Sequence, residues 1–196
     1  MITDPDIQHM LAFQKGDVSA FRILFDRYRK KIINYCHRFC NDGDVAEELA
    51  QEVFLRVYKA APKYRPDARF STWIFKIATN ICLNELRKSR YHFRTESIDA
   101  PTLGKDGEGT SDIEDLTQPR PNEAVQSREK DRIIREAISE LPPKQRAALL
   151  LRVFHDFSYE EISKQIGRSP ASVKSLIHRG RQNLKKSLHA YMRGDT

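Results

Sequence analysis

The chain has 196 residues, 31% of them charged, with a formal net charge of +7 and a pI near 9.4. That length allows one large or two small domains. No run of about 18 apolar residues and no signal-like leader (MITDPDIQHM is too polar) argue against a spanning or secreted chain, so a cytoplasmic location is expected.

The charge alternates along the chain. Residues 1–94 hold 17 Lys/Arg against 11 Asp/Glu, residues 95–123 hold two against eight, and residues 124–196 hold 15 against eight. Two basic blocks on either side of an acidic tether suggest two modules that touch a polyanion. Three cysteines, Cys36, Cys40 and Cys82, are too few for a disulfide framework. Cys36, His37 and Cys40 share about one helical turn. Small buried residues are the commoner explanation, and a zinc or redox site is the alternative.

Strand signals are almost absent, so the fold class read from the sequence is all-α. Thr3 and Pro5 are expected to start a short helix through Ile7, Met10 and Leu11 that stops near Gly16. Asp17 is placed to cap a long helix with Phe21, Leu24, Phe25, Tyr28, Ile32, Tyr35, Cys36 and Phe39 at helical spacing, broken by Asn41, Asp42 and Gly43. From about Asp44 to Ala61, Ala46, Leu49, Ala50, Val53, Phe54, Val57 and Ala60 form one apolar face. Asp44, Glu48, Gln51, Glu52 and Lys59 lie opposite, with Leu55 among them. A leucine in an acidic stripe is equally an ordinary exposed leucine or part of a docking surface for a basic helix.

Pro62 and Pro66 bracket a loop containing Tyr64, Arg65, Arg69 and Phe70, and Ser71 or Thr72 is expected to cap a helix to about Arg90. Ile74, Ile77, Ala78, Ile81, Cys82 and Leu86 form its core side, while Trp73, Lys76, Asn80, Asn84 and Arg87 gather on the other. Rings, cations and amides together suit single-stranded nucleic acid, in which bases stack and phosphates meet Lys and Arg. The alternative is that Trp73 belongs to the core and the rest is a solvated face.

From Arg94 to Pro121 periodicity vanishes among glycines, prolines and acids, the composition of a flexible linker. After Asn122, a cap candidate, a helix carries Val125, Ile133, Ile134, Ala137, Ile138 and Leu141. Pro142-Pro143 punctuates, and a helix through Ala147, Leu150, Leu151 and Phe154 is expected to pack beneath the last two helices. Ser158 with Glu161 forms a capping box, Ile162 and Ile166 an apolar stripe, and Gly167 a helix stop. Ser169 caps the next helix, with Pro170 first. Val173, Leu176, Ile177, Gly180, Leu184 and Leu188 share its inner side. Ser172, Lys174, Ser175, His178, Arg179, Arg181, Lys185 and Lys186 lie outside. Two helices, a short glycine-bearing turn and a basic outer face are the pattern of a helix-turn-helix that enters the major groove. An ordinary helical hairpin is the alternative.

Residues 46–60 (AEELAQEVFLRVYKA), 70–88 (FSTWIFKIATNICLNELRK) and 141–185 resemble, in order, regions 2 and 4 of bacterial RNA polymerase sigma factors, and the short two-domain layout is similar to the extracytoplasmic-function (ECF) class of the sigma-70 family. The resemblance implies a region 2-like domain at 1–94, a linker at 95–122 and a region 4-like domain at 123–196. It implies that Asp44, Glu48, Gln51, Glu52 and Leu55 dock on a coiled coil of the polymerase β′ subunit. It makes Tyr64, Arg65, Arg69, Phe70, Trp73, Lys76, Asn80, Asn84 and Arg87 the −10 contacts, in part by capturing a flipped base. It puts Ser172, Lys174, Ser175, His178, Arg179 and Arg181 in the major groove at −35. Its implied partners are core RNA polymerase (β′ and β), promoter DNA and an anti-sigma factor, free or membrane-bound, that answers a stress signal. Three positions depart from the pattern: Ser163 where alanine is usual, Val45 where an acid is common, and a long linker.

The function expected is promoter-specific transcription initiation. No paired carboxylates, P-loop or zinc-ligand set accompanies these motifs, so no catalysis, cofactor, metal or small-molecule substrate is expected. Two competing readings, a free-standing helix-turn-helix regulator and an enzyme with a helix-turn-helix appended, lack respectively a use for the acidic face of 44–59 and a catalytic constellation in 1–94.

Overall fold

The structure is a computed structural model and describes residues 4–96 and 121–193. Among them the regular structure is eight α-helices and one 3-10 turn: α1 (Pro5–Gln14), α2 (Val18–Cys40), α3 (Gly43–Ala60), the turn Ala61–Lys63, α4 (Phe70–Glu96), α5 (Pro121–Ser139), α6 (Pro143–Phe154), α7 (Tyr159–Ile166) and α8 (Pro170–Arg193). The expectations for Thr3, for linker residues 97–120 and for the Val125 side chain lie outside the described residues.

Local chemistry sets most helix ends. Asp17 caps α2 by accepting the backbone N–H groups of Ser19 and Ala20. Asn41 closes α2 in the left-handed region at φ 56°, a conformation asparagine tolerates, and Asp42 caps α3 one residue later. Several starts differ from the sequence reading. Asp4 caps α1. The Asp4 carboxylate also accepts the Phe70 N–H at 2.9 Å, so α4 begins at Phe70 on a cap supplied from 66 residues away. Ser71 and Thr72 therefore lie inside α4, which runs on to Glu96, past Arg90. Pro121 opens α5, with Asn122 inside the helix.

The helices of 4–96 pack as a bundle around Met10, Leu24, Ile32, Tyr35, Phe39, Val53, Ile74 and Ala78, each almost fully buried. Gln14 braces the segment after α3 by donating to the carbonyls of Ala61, Pro62 and Tyr64. The second bundle buries Ile138, Leu141, Leu150, Leu151, Ile162, Val173 and Ile177. Two residues expected in that core face outward. Ile134 is exposed, and Phe154 sits under the Arg38 guanidinium, 4.3 Å from its ring centre.

The bundles meet along a seam formed by α2 and α4 on one side and by α5, α6, the turn after it and α7 on the other. Arg146, on α6, donates across it to the Phe39 carbonyl and on its own side to those of Ser139 and Leu141. His155 wedges between Tyr35 and Phe75, with ring centres 5.6 and 4.0 Å away. The Thr72 hydroxyl donates to Glu161 at 2.9 Å, and Gln165 donates to the Thr72 carbonyl. The seam explains why Phe75, outside the expected core side of α4, is buried against His155 and Phe157, while Thr79 is buried within the first bundle, bonded to the Tyr35 hydroxyl at 2.8 Å.

Candidate nucleic-acid interface

Three surfaces carry the residues singled out from the sequence, and each is built by a different helix. On α8 the apolar stripe turns inward: Val173 and Ile177 are buried, and Gly180 faces α6, with Gln145 and Leu149 atoms 3.6–3.9 Å from where a Cβ would stand, ordinary contact distance. The turn before it is the one expected. Ser158 and Glu161 exchange both capping-box hydrogen bonds, and Gly167 ends α7 at φ 62°. Ser169 then accepts the Ser172 N–H. With its inner side fixed, α8 leaves Lys174, Ser175, His178, Arg179 and Arg181 exposed, and Ser172 half-buried. Among the described residues no carboxylate pairs with Lys174, His178, Arg179 or Arg181. A row of unneutralised cations on a protruding helix can meet phosphates and base edges together.

On α4, Lys76, Asn80, Asn84 and Arg87 form one exposed strip, Arg87 donating to the Asn84 side-chain oxygen at 3.3 Å. The aromatic part differs from expectation. Tyr64 and Phe70 are 5% and 0% exposed, so they are not rings presented to solvent. Phe70 stacks edge-on against Tyr28, and both Tyr64 and Phe70 pack under Trp73, at 4.9 and 5.8 Å. Trp73 is half-buried: one side rests on this floor and the rest is open, a state between the two sequence alternatives. Burial, chiefly, and then Asp4 and Asp67 push the Tyr64 phenol up to about 12. Arg65 and Arg69 are exposed beside it.

On α3, Asp44, Glu48, Gln51 and Leu55 are exposed, with Leu55 at 47%. Glu52 is half-buried and accepts from Arg56 at 2.6 Å, which cancels one charge of the stripe. Sequence reasoning missed Tyr58, which is 51% exposed and packs against Phe13 and Phe21, extending the apolar part of this face. Its i+3 spacing from Leu55 was the available signal.

The seam was also missed. Glu161 serves two partners there, the Ser158 N–H and the Thr72 hydroxyl. Burial would raise its carboxyl, and these hydrogen bonds more than offset it, so the group lies below its usual range. His155 is held down to about 4 by burial, then by Arg38 and Lys31. No group of three or more His, Cys, Asp or Glu side chains among the described residues is placed to hold a metal. No described helix is long and apolar enough to cross a membrane.

Comparison with known proteins fits this geometry. The sigma-70 region 2 model matches residues 24–91, covering α4 through Arg87 and all of α3, and the sigma-70 region 4 model matches 131–184, covering the helix-turn-helix. The ECF RNA polymerase sigma factor SigW of Bacillus subtilis is 33% identical over 175 residues, 89% of this chain and 92% of that protein. The RNA polymerase sigma-H factor of Pseudomonas aeruginosa is 31% identical, covering 98% of this chain and 99% of its own length. The ECF sigma-E factor of Escherichia coli is 30% identical over 92% of each. Among solved structures, the sigma factor RpoE of Bartonella quintana, in complex with the anti-sigma factor NepR, shares the fold at TM-score 0.65 and 19% identity, covering 88% of this chain and 98% of that one. CnrH, in complex with the cytosolic domain of CnrY, does so at TM-score 0.68 and 18% identity, with 95% and 99% coverage. These matches set aside the free-standing regulator: the chain belongs to the ECF sigma factors of the sigma-70 family, which direct promoter-specific transcription initiation by RNA polymerase.

Proposed function

We propose that the three surfaces divide the work of initiation. The outer face of α8 reads duplex DNA at −35 through Ser172, Lys174, Ser175, His178, Arg179 and Arg181. The observation that carries this is its row of exposed, unpaired cations on a helix pinned from behind. The face of α4 engages the −10 element as a single strand: Trp73 stacks, Lys76, Arg87, Arg65 and Arg69 hold phosphates, and Asn80 and Asn84 bond base edges. Tyr64 and Phe70 serve as the floor that sets the height and tilt of Trp73, a role their burial supports better than direct contact. Asp44, Glu48, Gln51, Glu52 and Leu55 on α3 dock on the β′ coiled coil of core polymerase. The domains divide at 1–94 and 123–196, with 95–122 as tether. The protein acts in the cytoplasm without catalysis, cofactor or metal of its own.

Two solved structures of like fold are complexes with a second protein: the sigma factor RpoE with the anti-sigma factor NepR, and CnrH with the cytosolic domain of CnrY. This chain is regulated in the same manner by an anti-sigma factor. The test of the docking face is co-purification with core polymerase. Wild type is retained stoichiometrically, and Glu48→Arg/Gln51→Arg/Leu55→Arg, with unchanged helicity, is lost. Retention of that folded triple variant would refute the assignment.

A further inference from the structure

Helix α1 precedes residues 24–91, the stretch that the sigma-70 region 2 model matches, and none of its residues belongs to the three assigned surfaces. Its polar side chains, with that of its cap Asp4, nevertheless converge on one place, the segment 61–69 that joins α3 to α4. At the near end of that segment the Gln14 side-chain nitrogen is shared among the carbonyls of Ala61, Pro62 and Tyr64, at 2.9, 3.2 and 3.1 Å. At the far end the Asp4 carboxylate spans two helices. One oxygen accepts the Asp6 N–H at 3.0 Å and the other accepts the Phe70 N–H at 2.9 Å. Asp6, itself buried, accepts the Tyr28 hydroxyl at 2.7 Å, and the Tyr28 ring lies edge-on to Phe70, 5.2 Å between centres.

We propose that α1 is a positioning element for promoter opening: Asp4 and Gln14 clamp the two ends of segment 61–69 and so hold the Tyr64–Phe70 floor on which Trp73 meets the melted −10 strand. This role rests on the reading of Trp73 as the stacking ring.

The floor depends on those two side chains. The buried Tyr64 hydroxyl has no hydrogen-bond partner among the described residues, so the ring is placed through its backbone, whose N–H donates to the Ala61 carbonyl at 3.1 Å and whose carbonyl accepts from Gln14. Phe70 opens α4, and the N–H groups of a first helical turn have no partner within the helix. Arg69, the residue before it, has no side-chain acceptor to cap them, so the acceptor comes from α1. Trp73 follows one turn later with its N–H on the Arg69 carbonyl at 3.2 Å, so the start of α4 sets the direction in which the indole leaves the helix. A ring held in one pose before the strand arrives stacks without first having to be ordered.

The chain has one tryptophan, so its fluorescence reports Trp73 alone. Two full-length variants are compared with wild type: Asp4→Ala, and Gln14→Met, which keeps the side-chain length and removes the donor. Both are expected to shift the Trp73 emission to the red and to raise its quenching by acrylamide, with −35 duplex binding unchanged. In reconstituted holoenzyme each is expected to open a fully paired promoter about 5- to 30-fold less well. In a Trp73→Ala background neither lowers opening further, because effects that pass through one residue do not add. Unchanged fluorescence of both variants would overturn the role of α1. So would a defect of full size in the Trp73→Ala background, the mark of a brace that serves the fold alone. Normal opening by Trp73→Ala would instead overturn the stacking reading, and the role of α1 in opening with it, whatever the fluorescence shows. Should Asp4→Ala fold poorly, Gln14→Met decides alone by the same readouts.

Discussion

The two helices assigned to DNA, α4 and α8, are of similar length and differ in how many things each must do at once. Helix α8 has two sides: an apolar one seated on α6 through Gly180, and an outer one left to solvent. Helix α4 has three. Ile74, Ala78, Ile81 and Cys82 join the core, Thr72 and Phe75 meet the C-terminal bundle, and Lys76, Asn80, Asn84 and Arg87 remain outside. A helix with two sides works as a rigid probe for a rigid duplex. A helix with three sides couples whatever happens on its outer face to the seam behind it. The difference predicts that perturbing the seam changes α4 and spares α8, whereas perturbing the outer face of α8 changes recognition and spares the fold.

The largest expected effect is on the seam and comes from acid. The docked His155 has a pKa near 4, below its ordinary 6.5, so the docked form binds fewer protons than the undocked one. The stabilisation is fully present above about pH 6.5 and is lost as the pH falls through 4. A depression of that size corresponds to about 3 kcal/mol when fully expressed. Imidazole resonances of His155 followed by NMR, together with thermal melts, should show loosening between pH 6.5 and 4 that His155→Phe abolishes. An ordinary titration of His155 near 6.5 would mean that the seam is open in solution.

Next in size is Arg181→Ala, which should cost about 1–3 kcal/mol of −35 binding and relax the preference at one base pair. Equal weakening on every sequence would demote Arg181 to a phosphate contact. Ser158→Ala removes half of the capping box and should cost about 1 kcal/mol of stability. The smallest effect has the opposite sign. A methyl at Gly180 meets its neighbours at ordinary contact distance, so Gly180→Ala should stabilise α8 by about 0.5–1 kcal/mol and leave DNA binding unchanged. A loss of stability would mean that α8 sits closer to α6 than 3.6 Å implies.

The same contrast separates what the sequence disclosed from what it hid. The helix-turn-helix was legible almost residue by residue because its signals are local: Ser158 and Glu161 are three apart, Gly167 ends one helix and Pro170 begins the next. The stripe on α3 was legible for the same reason, apart from the Glu52–Arg56 pair and Tyr58. The hidden features depend on partners remote in the chain. Asp4 caps α4 across 66 residues, and Glu161 reaches Thr72 across 89. Phe154 was assigned to the core by its period and lies outside because Arg38 of the other bundle covers it. Tyr64 and Phe70 read as surface rings because they sit in a polar loop. Folding α1 and α2 against that loop buries them and leaves Trp73 on top.

The division of labour between α4 and α8 rests most directly on Trp73. The decisive measurement is open-complex formation by polymerase reconstituted with wild type or Trp73→Ala, on a promoter selected from a random pool by the wild-type holoenzyme. The promoter is used once fully paired and once with an unpaired −10 segment. The predicted result is that Trp73→Ala still binds the −35 duplex, opens the paired template about 5- to 150-fold less well, as expected for about 1–3 kcal/mol of lost stacking, and recovers most of its activity on the unpaired one. Loss of −35 binding, or equal defects on both templates, would contradict the account and return Trp73 to the core.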